Sequence, residues 1–350
     1  MDSRISETTD SVVLSRSSMP EGRGDGALLK VDNLHTHFFL PNGVLKAVDG
    51  MSLEVERGEV VAVVGESGSG KSVTALSILR LIPRHQGRIV DGRLLFKGHD
   101  LMKKSNREMQ EIRGKQIAMI FQNPYAALNP VIRLGDQLIE TARKHRAVTK
   151  SEGLELSLEL LTHLDLEDPE RIVRLRPFQV SGGINQRIML ALALIGEPQL
   201  LIADEATTML DSLTQVEILE LIDRVQRETG MAVLLISHDL GVVAQVSDRV
   251  VVMYMGQRVE QAPTGEILTS PKHPYTIGLR ESAPDLETKG KRLPQIQGSP
   301  PDPQNLPQGC RFAPRCPHAM ERCIQSSPPD FRLDDNTLVK CWLFETGSPT

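Results

Sequence analysis

The sequence lacks any long uncharged hydrophobic run. The longest spans about residues 188–195, far short of the ~18 apolar residues that a membrane-spanning helix requires. Positive charge is not in excess either, since the formal net charge is −5, and nothing overall indicates a nucleic-acid partner. With 40% hydrophobic and 24% charged residues, the composition is that of a soluble globular protein. Any association with a membrane is expected to depend on a partner protein.

A secretory signal is also missing from the N-terminus. Residues 1–26 are rich in Ser, Asp, Glu and Arg, and the apolar stretch 12–14 is too short for the hydrophobic core of a signal peptide. We therefore expect a disordered tail over residues 1–26 and a cytosolic protein. Structural disulfides are unusual in that compartment, so clustered cysteines there suggest a metal site.

Cysteine is absent from the first 309 residues, and the four cysteines of the chain fall within its last 41 residues. They are Cys310, Cys316, Cys323 and Cys341. Four thiols and no others suggest one tetrahedral set around either a structural Zn²⁺ or a [4Fe–4S] cluster. The gaps between them are wider than those that zinc sites favour, and free or oxidisable thiols are the third interpretation.

Apolar, β-rich segments alternate with helical patterns along the middle of the chain. Several of the strand candidates are near-continuous Val, Ile and Leu, as in strands buried on both faces of a sheet. The candidates are residues 59–64, 116–121, 199–203, 231–237 and 249–253. Between the third and fourth, residues 212–229 place apolar side chains at helical spacing before Gly230. This alternation predicts an α/β fold with a largely parallel sheet.

Other segments break that alternation. Residues 138–175 have helical patterns and no strong strand, which predicts a helical insertion within the α/β core. Residues 293–307 are rich in proline, which favours a boundary or an extended segment over a helix. Residues 308–350 then form a small cysteine-bearing appendage. We find no internal repeat.

A glycine-rich loop follows the first strand candidate and precedes a helical pattern. Its residues are Gly65, Glu66, Ser67, Gly68, Ser69, Gly70, Lys71 and Ser72. The glycines allow backbone N–H groups to turn inward around phosphate oxygens. At this spacing Lys71 is expected to reach the β- and γ-phosphates, and the Ser72 hydroxyl is expected to bind Mg²⁺. The sequence therefore predicts a nucleotide site.

Polar side chains end three other strand candidates. Asp204 is expected near the Mg²⁺, through water, and Glu205 is expected to orient and polarise the attacking water. An acidic pair of this kind is often only a helix cap, but its coupling to the phosphate loop favours catalysis. His238 lies where ligands meet parallel sheets and is expected to contact the γ-phosphate; the alternative is a surface histidine. Gln122 carries little information by itself.

The residues Ser181, Gly182 and Gly183 open a helical pattern about 17 residues before the strand that ends at Asp204. Residues 180–187, Val-Ser-Gly-Gly-Ile-Asn-Gln-Arg, resemble the signature motif of ATP-binding-cassette (ABC) ATPases. In that family the Ser hydroxyl and Gly amides lie at a helix N-terminus and bind the γ-phosphate held by the other subunit. The resemblance covers roughly residues 28–343 and implies a phosphate-loop NTPase fold and a nucleotide-sandwich dimer.

The resemblance assigns further roles. It implies that Phe38 stacks on adenine, that Gln122 contacts both the permease and the metal, and that Asp211, after Leu210, crosses to the partner subunit. It identifies His238 as the switch histidine. The implied Mg²⁺ set is Ser72, Gln122 and Asp204.

The sequence departs from the family at two positions near the catalytic strand. Ala206 stands where the family usually has Pro, and Met209 stands where it usually has Ala or Gly. Val180, Ile184 and Asn185 vary the signature, whose phosphate-contacting Ser and second Gly remain. We expect an active ATPase.

The subfamily is also indicated. Residues 120–124, 128–130 and 273–276, together with the cysteine-bearing tail, are similar to ATPases of oligopeptide and dipeptide importers. That likeness implies ATP and Mg²⁺ as cofactors and a [4Fe–4S] cluster at the four cysteines. It also implies two membrane permeases, a sister ATPase or a second copy, an external binding protein, and a place on the cytoplasmic face of the bacterial inner membrane. Nickel importers and some antimicrobial-peptide systems share this ATPase type.

The expected fold is an α/β ABC cassette with a mainly parallel sheet core, an antiparallel β portion and a helical subdomain. The expected domains are the tail at 1–26, an ATPase domain at 27–285 with its helical subdomain at about 123–195, and a C-terminal peptide-importer-type domain at 286–350. Rival functions are a soluble ABC ATPase, an exporter ATPase and a phosphate-loop kinase. Soluble ABC ATPases carry coiled coils or duplicated cassettes, which this chain lacks. The cysteine-bearing tail disfavours an exporter ATPase. The signature motif disfavours a phosphate-loop kinase.

Overall fold

A computed structural model describes residues 26–206, 211–282 and 295–345 of the chain. Three earlier predictions concern residues outside these ranges. They are the expected tail over 1–26, except its last residue, the departures and contacts at Met209 and Leu210, and the domain boundary at 285–286. The strands are β1 (Leu29–Leu40), β2 (Gly43–Val55), β3 (Val60–Val64), β4 (Gly87–Phe96), β5 (His99–Asp100), β6 (Ile117–Ile120), β7 (Leu200–Asp204), β8 (Ala232–Ser237), β9 (Arg249–Tyr254), β10 (Gln257–Pro263), β11 (Phe331–Arg332) and β12 (Leu338–Val339).

Helices follow most of these strands. They are α1 (Lys71–Ile78), α2 (Asn106–Ile112), α3 (Pro124–Ala127), α4 (Leu134–His145), α5 (Lys150–His163), α6 (Pro169–Ile172), α7 (Gly182–Leu194), α8 (Ser212–Thr229), α9 (Leu240–Val243), α10 (Thr264–Thr269), α11 (Pro274–Glu281) and α12 (Glu321–Gln325). No helix in the described parts of the chain is both long enough and apolar enough to cross a lipid bilayer.

The larger sheet has the strand order β11-β12-β10-β9-β3-β8-β7-β6. The strands from β9 to β6 run parallel, and β10, β12 and β11 extend the β9 edge in antiparallel pairing. The parallel strands are those predicted from the sequence, with each end within one residue of its predicted place. Every residue of β3, β7 and β8 is buried, as expected of a sheet covered on both faces.

A second, antiparallel sheet has the order β2-β1-β4-β5. Its inward side chains share one apolar cluster with α1 and with one face of the parallel strands, including Leu34, Met51, Leu94 and Val63. The antiparallel portion was expected from the family resemblance, but its strand bounds follow from no pattern that we identified. The β1–β2 and β1–β4 pairings contain register shifts, which blur the alternation that marks such strands.

The chain between β6 and β7 forms helices α3 to α7. Their apolar side chains pack with the opposite face of the parallel sheet in the second cluster. The sequence marks the start of α5, where Thr149 and Glu152 form a capping box. The insertion therefore starts at the edge where the parallel strands end, after β6, and leads back to the opposite edge, where β7 begins.

The C-terminal part of the described chain, residues 308–345, is called the cysteine region below. Its strand β12 pairs with β10, so the region is attached to the edge of the main sheet. Phe312 joins the core cluster of the parallel sheet, and Cys310 and Cys316 pack against that cluster. Residues 295–307 contain neither helix nor strand, in agreement with their proline content.

Candidate active site

Four neighbouring parallel strands, β3, β8, β7 and β6, end at one edge of the larger sheet. The phosphate loop follows β3, His238 follows β8, Glu205 follows β7 and Gln122 lies two residues after β6. Ligands of such sheets bind at the carboxyl ends of the strands. The topology therefore brings the predicted catalytic and phosphate-binding residues to a common edge.

The phosphate loop requires glycine at two positions for reasons of space. Gly65 and Gly70 have φ values of 153° and 103°, in the region that favours glycine. A Cβ atom at Gly65 would overlap the Met253 carbonyl oxygen, and one at Gly70 would overlap the Ala47 carbonyl oxygen. Gly68, by contrast, has no atom within 4 Å of such a Cβ. It lies with Ser67 at the exposed tip of the loop, whereas Ser69 and Gly70 are buried.

Lys71 begins α1 and directs its side chain back into the loop. Its ammonium group donates to the carbonyl oxygens of Gly65 at 2.7 Å and Glu66 at 3.0 Å. It lies 4.0 Å from the Glu205 carboxylate, and its side chain is 3% exposed. Burial lowers the pKa of Lys71, while Glu205 and Asp204 act in the opposite direction. The loop therefore encloses one buried cation facing two acidic side chains.

Ser72 and Asp204 form a pair of oxygen donors beside that cation. The Ser72 hydroxyl donates to Asp204 Oδ1 at 2.8 Å. Burial raises the pKa of Asp204, the Ser72 hydrogen bond lowers it, and the neighbouring Glu205 raises it further. Hydroxyl and carboxylate oxygens are the ligands that Mg²⁺ prefers, so this pair fits the metal that was predicted here.

Glu205 is the meeting point of the other predicted catalytic residues. Gln122 Nε2 donates to Glu205 Oε2 at 2.7 Å, and His238 Nδ1 lies 3.7 Å from the same oxygen. The Glu205 N–H donates to the Ile236 carbonyl at 3.0 Å, although Glu205 has a φ of 45°. A left-handed conformation in a non-glycine residue is strained, and such strain concentrates at functional sites. The structure brings the Gln122 amide to Glu205 rather than to the Ser72–Asp204 pair.

The signature residues lie on α7 and not at the strand edge. Ser181 caps this 13-residue helix by accepting the Ile184 N–H at 3.4 Å. A Cβ atom at Gly183 would lie 3.0 Å from Thr214, and Thr214 donates its N–H and hydroxyl to Asp211 at 3.1 and 2.8 Å. The start of α7, with Gly182 in its first turn, and the cap of α8 therefore adjoin. Backbone N–H groups at such a helix start can bind an anion.

Phe38 lies near the end of β1 and is half-buried. A Cβ atom at Gly87 would lie 2.8 Å from its ring, so the glycine makes room for the aromatic side chain. The next residue, Phe39, is 43% exposed and has the Arg88 guanidinium 4.5 Å from its ring centre.

The four cysteines are free thiols close to one another. Burial raises the pKa of Cys310, Cys316 and Cys341, in the last case to about 11, and the other three thiols contribute to that rise. For each of these three cysteines, a backbone hydrogen bond from the residue two positions later lowers the thiol pKa. Hydrogen bonds of this kind stabilise thiolates that ligate metals.

One compact cluster of candidate metal ligands lies outside the four cysteines. Of the described residues, only His35, His37 and Asp49 place three candidate ligand atoms within 4.8 Å of one another. Arg311 already forms an ion pair with Asp49 there.

Sequence patterns did not single out Arg315, whose guanidinium forms an ion pair with Glu66 of the phosphate loop. The two residues are 249 positions apart, so no local spacing could relate them. The only signal was the position of Arg315 next to Cys316.

Comparisons with known proteins cover both parts of the chain. Residues 48–208 match the family model described as ABC transporter. Residues 259–323 match the one described as oligopeptide/dipeptide transporter, C-terminal region. The chain is 47% identical over 316 residues to the dipeptide transport ATP-binding protein DppD of Bacillus subtilis, covering 90% of this chain and 94% of that protein. It is 44% identical to the oligopeptide transport ATP-binding protein AppD of the same organism, covering 91% and 97%.

Solved structures resemble the cassette part. One is the ATP-binding cassette MJ0796 in a dimeric post-hydrolysis state bound to ADP and Pi, with a TM-score of 0.61, 26% identity, and coverage of 67% of this chain and 98% of that one. Another is cbiO1 from Clostridium perfringens, part of the transporter complex cbiONQ, with a TM-score of 0.60, 25% identity, and coverage of 73% and 95%. These likenesses confirm the predicted fold class.

Proposed function

The chain belongs to the ATP-binding subunits of ABC transporters, and we propose that it powers the import of dipeptides and oligopeptides across the bacterial inner membrane. The observation that carries the cargo class is the C-terminal match at residues 259–323 to the oligopeptide/dipeptide transporter region. The near full-length identity to DppD, a dipeptide transport protein by name, supports the same cargo. The protein is an ABC-type ATPase.

The proposed domains are those expected from the sequence. They are an ATPase domain at residues 27–285, with its helical subdomain at about 123–195, and a peptide-importer-type domain at residues 286–350. The two proposed domains share a sheet, because β12 of the second domain pairs with β10 of the first.

In the proposed mechanism each residue at the strand edge has one task. Lys71 and the loop amides bind the β- and γ-phosphates of ATP, and Phe38 stacks on the adenine. Ser72 and Asp204 would hold Mg²⁺, with Gln122 as the third proposed ligand, and the ion would neutralise phosphate charge. Gln122 and His238 hold the Glu205 carboxylate, which accepts a proton from the attacking water. The strained backbone of Glu205 is supported by its bond to Ile236.

A second ATPase subunit completes each site. Ser181, Gly182 and Gly183 bind the γ-phosphate held by the partner, and Asp211 crosses the same interface. Thr214 lies next to Gly183 and donates its hydroxyl to Asp211, so the two elements adjoin at the proposed interface. The partner is a sister ATPase or a second copy, and the assembly includes two permeases and, indirectly, an external binding protein; no nucleic acid takes part.

The permease contact lies on the helical insertion next to Gln122. Tyr125, Val131 and Phe178 are 51%, 72% and 67% exposed, and exposed apolar clusters mark interaction sites. Arg176 Nε donates to the Val131 carbonyl at 3.1 Å, which brings the turn that carries Phe178 beside Val131. In this proposal, closure of the ATPase dimer is transmitted to the permeases through this surface. The family resemblance supports a location on the cytoplasmic face of the membrane.

A [4Fe–4S] cluster is the proposed occupant of the cysteine region. Its ligands are Cys310, Cys316, Cys323 and Cys341. Their electrostatic interactions with one another and their backbone hydrogen bonds fit thiolate ligation. A bound cluster supplies cross-links to a region with few apolar residues. Ligation requires deprotonation, so binding releases protons from thiols whose pKa is raised.

Uptake of a radiolabelled dipeptide by cells lacking this gene tests the cargo. Wild-type chain should restore uptake, and a Glu205→Gln chain should not. If Ni²⁺ uptake is restored and dipeptide uptake is not, the cargo assignment fails in favour of the nickel-importer alternative. If ATPase activity in purified membranes is independent of the permeases, the soluble ABC ATPase alternative gains and the transport assignment fails.

A further inference from the structure

The cysteine region reaches the nucleotide site through one side chain. Arg315 donates Nη1 to Glu66 Oε2 at 2.7 Å and Nη2 to Glu66 Oε1 at 3.0 Å. This is the two-pronged arrangement that gives an arginine–carboxylate pair its strength and its fixed orientation. Glu66 is the second residue of the phosphate loop, and Arg315 directly precedes Cys316.

The Arg315 guanidinium is buried among hydrogen-bond acceptors and aromatic rings. Its side chain is only 4% exposed, and its Nε donates to the Gln297 carbonyl at 3.1 Å. It lies 5.8 Å from the Tyr254 ring centre and 5.9 Å from that of Phe312. A guanidinium group stays protonated in proteins, so the side chain is always charged. A buried, fixed cation can position the group that it binds.

Glu66 is in turn fixed at three of its polar groups. Its N–H donates to the Tyr275 hydroxyl at 2.8 Å, its carbonyl accepts from Lys71 at 3.0 Å, and its carboxylate accepts from Arg315. The carbonyl contact ties the position of Glu66 to the cation that binds phosphate. A shift of Glu66 therefore changes the loop where nucleotide binds.

We propose that Arg315 is a positioning residue of the nucleotide site, through which the cysteine region sets the affinity of the phosphate loop for ATP. The inference rests on the proposed assignment of Gly65 to Ser72 as the phosphate site. Arg315 acts in two ways. It orients the loop before ATP arrives, which preserves affinity, and it neutralises a carboxylate that would otherwise repel the phosphates.

The position of Arg315 depends on the fold around Cys316. Its turn is closed by the Cys316 N–H, which donates to the Ala313 carbonyl at 3.3 Å, and by the Arg315 N–H, which donates to the Phe312 carbonyl at 2.9 Å. The Cys316 side chain packs against the core cluster, so we expect a change of this side chain to shift the turn that carries Arg315. Under this proposal Cys316→Ser weakens ATP binding in the wild type and adds little in an Arg315→Gln background.

The test is a double-mutant cycle on the purified full-length chain. Mg-ATP binding is measured by titration calorimetry, and KM and kcat by phosphate release, for R315Q, E66Q and R315Q/E66Q. R315Q should weaken ATP binding about tenfold, the value of one charge-assisted hydrogen bond. It should raise KM while kcat at saturating ATP changes little.

The discriminating result is rescue. In R315Q the Glu66 carboxylate is left without its partner beside the phosphates, so adding E66Q should restore part of the lost affinity. A merely structural role predicts instead that the affinity for ATP falls and recovers in step with the unfolding midpoint of each variant, because an unpaired buried charge destabilises the fold by itself. The E66Q variant removes the charge of the other partner, whose side chain is 29% exposed. It tests the proposal if R315Q does not fold.

Arg258→Gln is the matched control. Arg258 is another buried arginine, 10% exposed, that pairs with Asp330 of the cysteine region at 3.0 Å and donates to the Ser52 carbonyl. Its loss should lower stability without changing the affinity for ATP. Equal weakening in R258Q and R315Q, or unchanged affinity in R315Q, would overturn the inference. Wild-type chain that binds no ATP would instead overturn the phosphate-loop assignment itself.

Discussion

The strand edge and the cysteine region are both polar sites, but they are stabilised differently. The strands that carry the nucleotide site, such as β3 and β8, are buried along their whole length in Val, Leu, Ile and Ala. The cysteine region contributes few buried apolar side chains, among them Phe312 and Val339. It is attached to the rest of the chain by three arginine–carboxylate pairs, at Arg311, Arg315 and Arg258.

The difference predicts how each part responds to change. Burial of many aliphatic side chains is spread over the sheet, so one substitution at the strand edge leaves the scaffold intact and changes only the chemistry. A buried ion pair concentrates its contribution in two residues, and removing one partner leaves an unpaired charge. The nucleotide site should therefore lose function without losing structure. In the cysteine region a structural change should reach function at a distance.

The largest expected effect comes from Glu205→Gln, which alters only the strand edge. Loss of the proposed general base should lower ATP turnover by about 10³-fold, while ATP binding remains. Since the proposed site is completed by a second subunit, the variant should persist as an ATP-bound dimer in size-exclusion chromatography. Continued ATP turnover by this variant would contradict the role of Glu205.

Gly65→Ala should abolish measurable ATP binding, because a Cβ atom there overlaps the Met253 carbonyl oxygen. Gly68→Ala is the matched comparison within the same loop. Its φ of 81° makes alanine strained by about 1 kcal/mol, but no atom lies in its way. Calorimetric titration with ATP should separate the two variants clearly. Equal binding by both would show that backbone overlap at Gly65 does not control the loop.

The sequence predicted the first of these two regions better than the second. Each element of the nucleotide site lies at or just after the end of a strand whose apolar composition can be recognised locally. These elements are the phosphate loop, the acidic pair at the end of β7, His238 and Gln122. The topology of parallel strands then brings them together. The structure adds contacts that no pattern gives, such as the bond of Gln122 to Glu205. The roles of these residues remain predictions.

The cysteine region was predicted only as four clustered thiols. Its attachment depends on pairs such as Arg315 with Glu66 and Arg258 with Asp330, which lie 249 and 72 positions apart. An arginine in a polar segment looks like a solvated residue, since burial by distant chain is invisible to local composition. For the same reason the pairing of β12 with β10 was not foreseen, because each strand is short and its partner remote.

Cys341→Ser should have an intermediate effect and should start in the cysteine region. With one of four ligands missing, anaerobically purified protein should lose most of its iron, measured by metal analysis and the visible absorbance spectrum. Amide hydrogen exchange should rise over residues 308–345, and KM for ATP should rise severalfold through Arg315. Unchanged iron content would contradict the cluster assignment. Faster exchange with unchanged KM would separate the region from the phosphate loop.

The smallest expected effect is a pH dependence at the contact between the two regions. His273 is buried and packs 5.8 Å from the Phe312 ring centre, and its Nδ1 accepts the Tyr275 N–H at 3.0 Å. Burial lowers the pKa of His273 to about 3, below the ordinary value of about 6.5. Between these values the unfolded chain binds the extra proton. His273 therefore stabilises the fold fully above pH ~6.5 and progressively less as the pH falls toward 3, by at most about 1.4 kcal/mol per pH unit.

His273→Asn should remove that slope while keeping a side-chain acceptor at the start of α11. At pH 7 the variant should be less stable by about 1–2 kcal/mol because of lost packing. Its unfolding midpoint in urea should then change less than that of the wild type between pH 7 and pH 5. Parallel pH profiles for the two proteins would mean that protonation of His273 does not oppose folding. In that case the contact of His273 with Phe312 would be one of packing alone.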